Sequence, residues 1–356
     1  MLKKAASLLL VCASVGAWVG CSTTSNRYLY AAVPASSEII AFREDPNSGA
    51  LVELAGSPIT AGPEVQSLAM HPSGKYLYAA NAGQNNVSLF TISGGSLTEV
   101  TPRTNAGTVP TLAVMDPSGN FLYVGNSGTQ DISVYSISAS NGMLTPVAQT
   151  SGATTPIGVS PLNMAVSPSG DYLFVTGQGA QGYVEAFPLS QGVLGTPVTG
   201  SPFLTGNNPY GLAVAPSGSY LYTANKLDNS ISEFTITSGV LAPLPNSPIG
   251  EAYSAPVSVW IDPTSTYLYA ANQGSPPNLI GYTVGSDGGL TELSTSPFTT
   301  ATGPSFIAGD PSGKYLFVGN QSTSSSVESF SIDAGTLTLV GTYSVPGTAT
   351  SIVLTP

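Results

Sequence analysis

A triplet of aromatic, leucine and aromatic recurs seven times along the chain: Tyr28-Leu29-Tyr30, Tyr76-Leu77-Tyr78, Phe121-Leu122-Tyr123, Tyr172-Leu173-Phe174, Tyr220-Leu221-Tyr222, Tyr267-Leu268-Tyr269 and Tyr315-Leu316-Phe317. Successive triplets are 48, 45, 51, 48, 47 and 48 residues apart. A period of this size marks an array of equivalent units, either a solenoid or a propeller, and the content of one unit decides between them. In the unit entered at Pro209, Leu212-Ala213-Val214 is a short apolar run and Pro216-Ser217-Gly218 a turn. Three further strand patterns follow at Tyr220 to Ala224, Ser230 to Ile236 and Gly239 to Leu244. Four strands per unit make a blade, so the period predicts an all-β, seven-bladed propeller of four-stranded antiparallel sheets.

The punctuation agrees with that reading. Asp116-Pro117-Ser118-Gly119 and Asp310-Pro311-Ser312-Gly313 suit a type I turn between first and second strands, with Pro setting φ at the second position and Gly at the fourth. Third strands such as Val87-Ser88-Leu89-Phe90 and Ile132-Ser133-Val134-Tyr135 keep apolar residues in phase for burial between blades. Asn141-Gly142, Ser238-Gly239 and Asp287-Gly288-Gly289 supply the positive φ of tight hairpins. The first unit begins at its second strand, whereas the chain ends on Ala349 to Pro356, which has the pattern of the missing first strand. Residues 349 to 355 are therefore predicted to complete the blade begun by residues 27 to 54 and to close the ring without free sheet edges.

Composition sets the outer limits. With 8 Lys+Arg against 19 Asp+Glu the chain lacks the cations that neutralise phosphates, which excludes nucleic acid as a partner. A hydrophobic content of 42% with 17 Tyr and 11 Phe excludes disorder, and 40 Gly with 29 Pro exclude a helical protein. Residues 1–20 read as an export signal: Lys3 and Lys4 precede an apolar stretch from Ala5 to Gly20, too short to cross a bilayer comfortably. Trp18-Val19-Gly20-Cys21 resembles a bacterial lipobox, with Trp18 where Leu is usual. Lipidation of Cys21 is the expectation, with simple signal cleavage or a retained anchor as the alternatives. Residues 21–26 would then be an anchor linker and residues 27–356 the propeller. The expected location is the outer membrane or cell surface, or else the periplasm or the exterior. Membrane contact is expected through Cys21 only. Cleavage removes Cys12, so no intramolecular disulfide can form.

The phrase His71-Pro72-Ser73-Gly74-Lys75-Tyr76-Leu77-Tyr78 and its counterpart from Asp310 to Phe317 resemble the seven-bladed lactonase family with Tyr-Val-Thr-Asn repeats, which includes 6-phosphogluconolactonase. The resemblance covers residues 27 to 356 and implies a ligand site on the face where first strands begin. It also implies that an Arg and a His, following Gly-Pro at those entrances, engage an anionic lactone and move protons. Here the entrances carry Val65-Gln66-Ser67, Pro110-Thr111-Leu112, Pro161-Leu162-Asn163, Pro209-Tyr210-Gly211, Pro256-Val257-Ser258 and Pro304-Ser305-Phe306, with neither Arg nor His.

The remaining candidates follow from phase. His71, the sole histidine, takes the first position of a turn on the opposite face and reads as a turn cap. No zinc or calcium ligand set is present, and no cofactor is expected. Asn81, Asn126, Asn225, Asn272 and Asn320 close second strands and read as turn residues bonded to their own backbone. Glu251 is placed with Glu64 and Arg103 in loops entering first strands; Glu64 is the candidate base and Arg103 the candidate anion holder if the chain hydrolyses lactones. Tyr210, Gln66, Asn163, Ser305 and Lys226 are the ligand-binding candidates, with Tyr210 able to stack on a sugar ring or to plug the channel. On this basis the expected role is a monomeric binding or scaffold module for an envelope protein, peptide or glycan. Lactone hydrolysis of the 6-phosphogluconolactonase type is the alternative.

Overall fold

The structure, a computed structural model, describes residues 26–250, 255–321 and 325–356. It consists of seven antiparallel sheets arranged as the blades of a propeller. Blade 2 is the plainest, running outward from the axis through Val65–Met70, Tyr76–Asn81, Asn86–Ser93 and Ser96–Asn105. Seven apolar clusters fill the seams between neighbouring blades, so the core is a ring of equivalent contacts about the channel.

The triplet explains the ring. Along a strand, residues two apart share a face, so the leucine of each triplet faces one neighbouring blade and both aromatics face the other. All seven triplet leucines are fully buried, each contributing about 1.5–3 kcal/mol. The first aromatic lies over the positive-φ glycine of the next blade's outer hairpin, where an added Cβ would stand 2.3 Å from Tyr28 at Gly95 and 2.2 Å from Tyr220 at Gly288. The third residue, where it is Tyr, reaches the same glycine with its hydroxyl. Tyr30 donates to the Gly95 carbonyl at 2.8 Å, Tyr78 to Gly142 at 2.7 Å, Tyr222 to Gly288 at 2.8 Å and Tyr269 to Gly335 at 2.9 Å. One three-residue motif thus supplies core and steric lid for each seam and, in four of them, a latch.

Closure follows the predicted route. Ser351–Leu354 pairs with Arg27–Val33 in the register Leu29 to Leu354 and Ala32 to Ser351, giving blade 1 its innermost strand. Arg27 then bridges the same seam at the turn end of the channel: its guanidinium bonds Asp310 of blade 7 and stands 3.8 Å from Glu44 of blade 1. The Glu44 carboxylate is fully buried, and neither oxygen has a hydrogen-bond partner among the described residues. Burial first, and the nearby Asp310 charge second, push its pKa up to about 7.

At the outer edges, blades 1, 3, 4, 5 and 6 interrupt the fourth strand, in all but blade 3 at a Ser-Pro pair. There a serine hydroxyl from a Ser-Pro pair accepts the freed third-strand amide: Ser57 from Ala41 at 3.1 Å, Ser201 from Ala186 at 3.2 Å, Ser247 from Glu233 at 2.8 Å and Ser296 from Gly281 at 2.9 Å. The substitution satisfies an edge that would otherwise invite pairing with another chain. Among the described residues no helix is long and apolar enough to cross a membrane. Cys21 and the signal segment lie outside the described residues, as does Glu251.

Candidate functional site

Five of the seven innermost strands begin with a β-bulge. Register slips by one residue between Val65 and Ser67, at Pro110, between Pro209 and Gly211, between Pro256 and Ser258 and between Pro304 and Phe306. The skipped residues are Gln66, Thr111, Tyr210, Val257 and Ser305, each freed from the ladder and turned toward the channel mouth. They surround a cavity of about 560 Å3 to which all seven blades contribute. All five ligand-binding candidates, Gln66, Asn163, Tyr210, Lys226 and Ser305, line it.

Their side chains are not equally available. Asn163 donates from Nδ2 to the Tyr210 carbonyl at 2.9 Å and accepts from the Met164 amide at 2.9 Å. The Ser305 hydroxyl is shared between the carbonyls of Ala349 at 2.7 Å and Gly319 at 2.9 Å. These two side chains join neighbouring blades, as do Ser67, Ser258 and Ser351, whose hydroxyls accept the amides of Ala113, Ile307 and Leu68. Gln66, by contrast, makes no side-chain hydrogen bond among the described residues. Tyr210 is 43% exposed, with the Lys226 ammonium 5.2 Å above its ring centre, a cation–π arrangement.

Among the lining residues that escaped the sequence reading are two glutamines. Gln273 and Gln321 stand where Lys226 stands in blade 5, immediately after the recurrent second-strand Asn, and both line the cavity. The signal was that very position, one step beyond Asn272 and Asn320, where residue type varies from blade to blade. Four primary amides, those of Gln66, Asn163, Gln273 and Gln321, one phenol and one ammonium therefore line the space. Lys226 is the one charged group among the cavity's lining residues, and no carboxylate or imidazole joins it.

The structure does not bring Glu64 and Arg103 together. Arg103 lies within Ser96–Asn105, the outermost strand of blade 2, rather than in a loop entering a first strand. The strand's pairing is interrupted between Val100 and Thr104, and in this bulge on the rim the guanidinium is held away from the axis, bonded to Glu99 at 2.7 and 3.2 Å and to Gln84 at 3.0 Å. Glu64 is exposed beside the mouth and absent from its lining. Asp228 is likewise occupied, accepting the Asn207 amide at 2.7 Å and side chain at 3.0 Å.

The Asn set departs from the turn reading. All five are fully buried, and their Nδ2 groups donate to third-strand side chains rather than to their own backbone. Asn81 reaches Ser88 at 3.0 Å, Asn126 reaches Ser133 at 2.9 Å and Asn225 reaches Ser232 at 2.9 Å. They are struts beneath the mouth. His71 sits in its turn at the other end, with Nδ1 2.8 Å from the Ser73 hydroxyl and Nε2 3.0 Å from the Gly119 carbonyl of the next blade. Among the described residues no group of three or more His, Cys, Asp or Glu side chains could hold a metal ion.

The family model described as a lactonase, seven-bladed β-propeller, matches residues 20–161, 115–192, 187–277 and 258–354. No curated protein matches the chain. Among solved structures, a Bacteroides fragilis protein provisionally described as a 6-phosphogluconolactonase superposes with a TM-score of 0.78 at 19% identity, over 94% of this chain and 99% of that one. A Pseudomonas aeruginosa protein described as a periplasmic gluconolactonase gives 0.74 at 19% identity, over 93% and 99%. A Lactobacillus plantarum protein gives 0.77 at 20% identity, over 93% and 99%. At these identities the structural likeness speaks for the fold.

Proposed function

This chain belongs to the lactonase family of seven-bladed β-propellers, and from that premise we propose that its channel mouth binds and opens an uncharged sugar lactone in the cell envelope. The observation that carries the reading is the lining itself: amides of Gln66, Gln273 and Gln321, the Tyr210 ring and a single cation, Lys226. Amides satisfy sugar hydroxyls in both donor and acceptor roles, and an aromatic face covers the apolar side of a ring. One cation in a chain of net charge −11 is a poor receptor for a phosphate ester. An unphosphorylated lactone therefore fits better than a phosphorylated one. The likeness to a protein described as a periplasmic gluconolactonase, together with the export-type N-terminus, supports the same substrate class and compartment.

In this reading water adds to the lactone carbonyl, the ring C–O bond breaks, and the ring oxygen leaves as a hydroxyl after taking a proton. The new carboxylic acid releases its own proton to solvent. Lys226 stabilises the developing oxyanion, and the glutamines orient the ring. With no acid–base pair in the lining, catalysis rests on positioning and electrostatics.

A second reading, a monomeric binding module for an envelope glycan, peptide or protein, is favoured by that same lack of a carboxylate or imidazole. Assay of the purified chain against an aldono-1,5-lactone and its 6-phosphate separates the two. The expected result is turnover of the neutral lactone, reduced on the order of 100-fold by Lys226→Met and unchanged by Glu64→Gln. Retained sugar binding without turnover would establish the binding module instead. Anchoring through Cys21 predicts that Cys21→Ala moves the protein from the membrane fraction to the soluble one.

A further inference from the structure

The seam between blades 3 and 4 breaks the latch pattern. In four seams a triplet tyrosine donates to the hairpin glycine of the next blade. At this seam the corresponding pair is Tyr123 and Gly192, yet the Gly192 carbonyl is taken by the Gln149 amide at 3.3 Å, while Gln149 Oε1 accepts the Leu194 amide at 2.9 Å. Gln149 is buried, so a second side chain has been installed to do the work of the phenol. Tyr123 is 1% exposed, and its hydroxyl has no hydrogen-bond partner among the described residues. It forms part of the wall of a cavity of about 390 Å3, opposite in the channel direction to the mouth, together with Phe121, Asp116, Ser118, Ser169 and Gln191.

We propose that this cavity is a second ligand site, built for a small neutral polyhydroxylated molecule such as a monosaccharide or polyol. Its volume falls in the range of ligand cavities, roughly 300–1,000 Å3. A phenol released from its structural bond and lining a cavity is a free donor and acceptor for a ligand, and Phe121 offers an apolar wall beside it. The Asp116 carboxylate disfavours an anion. Its Oδ1 accepts the Phe121 amide at 2.6 Å and its Oδ2 the Ser118 hydroxyl, so it is not a free receptor for a cation either. What remains is a ligand that meets hydroxyls and an amide with hydroxyls of its own. The site is independent of the lactone reading, since the mouth lies at the other end of the inner strands.

The test uses D-glucose and glycerol as probes, read by ¹³C-tyrosine NMR and by thermal melting. The chain supplies its own conservative control: Phe174 and Phe317 occupy the Tyr123 position in two other blades, so Tyr123→Phe is expected to fold and melt like the parent. The expected result is a saturable shift of the Tyr123 resonance, at least tenfold weaker binding in Tyr123→Phe, and unchanged binding in Tyr210→Ala. The proposal is overturned if neither probe perturbs Tyr123, if Tyr123→Phe binds as the parent does, or if Tyr123→Phe melts several degrees lower, which would make the hydroxyl structural.

Discussion

The two ends of the central channel are built by the same inner strands and differ in what their side chains do: three of the seven turns share one aspartate device, whereas the mouth shares none. At the turn end, Asp116, Asp262 and Asp310 repeat one device: Asp262 accepts the amides of Thr266 and Tyr267 at 2.6 Å each, and Asp310 those of Lys314 and Tyr315 at 2.8 and 2.9 Å. At the mouth, the residues at the bulge or its equivalent are Gln66, Thr111, Leu162, Tyr210, Val257, Ser305 and Thr350, with only threonine used twice. Ser305 and Thr350 still hold a neighbouring blade through the Ala349 and Gln66 carbonyls, whereas the Gln66 side chain makes no hydrogen bond among the described residues, and a repeat protein is freest to vary where a residue holds no neighbour. Within one chain, then, the place where the repeat stops repeating is where recognition is expected. The Tyr123 seam applies the same logic to a single position.

This contrast makes the turn end and the seams sensitive in stability and the mouth sensitive in ligand handling alone. The largest effect is expected from stopping the chain at Pro346, which removes the innermost strand of blade 1. Calorimetry should show loss of the cooperative transition, and a melt like the parent's would mean that the ring closes by other means. Next is Glu44. Its pKa, raised from an ordinary 4.5 to about 7, means the folded state keeps a proton that the unfolded state gives up. Its contribution is complete below pH about 4.5 and lost as the pH rises toward about 7. Parent and Glu44→Gln melts should therefore diverge across that window, with the variant relatively more stable at its upper end, and parallel curves would remove Glu44 from the seam's balance. A smaller loss, about 1–2 kcal/mol, is expected for Tyr269→Phe, which leaves the Gly335 carbonyl without its donor; chemical denaturation measures it. Smallest in stability, within about 0.5 kcal/mol, is Tyr210→Ala at the exposed mouth, although ligand affinity should fall at least tenfold by titration calorimetry. If that variant instead destabilised the ring, the two ends would not differ as claimed.

Much of the fold was legible because strand period, turn chemistry and the triplet are local. The spacing of Tyr28, Tyr76 and their successors counted the blades, and the pattern of Ser351 to Leu354 disclosed the closure. Candidate residues were legible through phase, which put Gln66, Tyr210 and Lys226 at the mouth. Partnership was not. Nothing in the sequence around Arg103 announced that a bulge in the fourth strand would deliver it to Glu99, and nothing near Asn126 told a buried strut from a turn residue.

Composition and periodicity by themselves determined that this chain makes seven equivalent sheets closed by its own tail, because those properties depend on residues close together along the backbone. Tertiary structure alone decided which polar groups are left free. A bulge depends on register between two strands, and a satisfied hydrogen bond depends on what a neighbouring blade brings within about 3 Å. Gln66, Gln273 and Gln321 line the cavity with no side-chain hydrogen bond among the described residues, while Asn163 and Ser305, equally polar in the sequence, are already committed to holding the ring together.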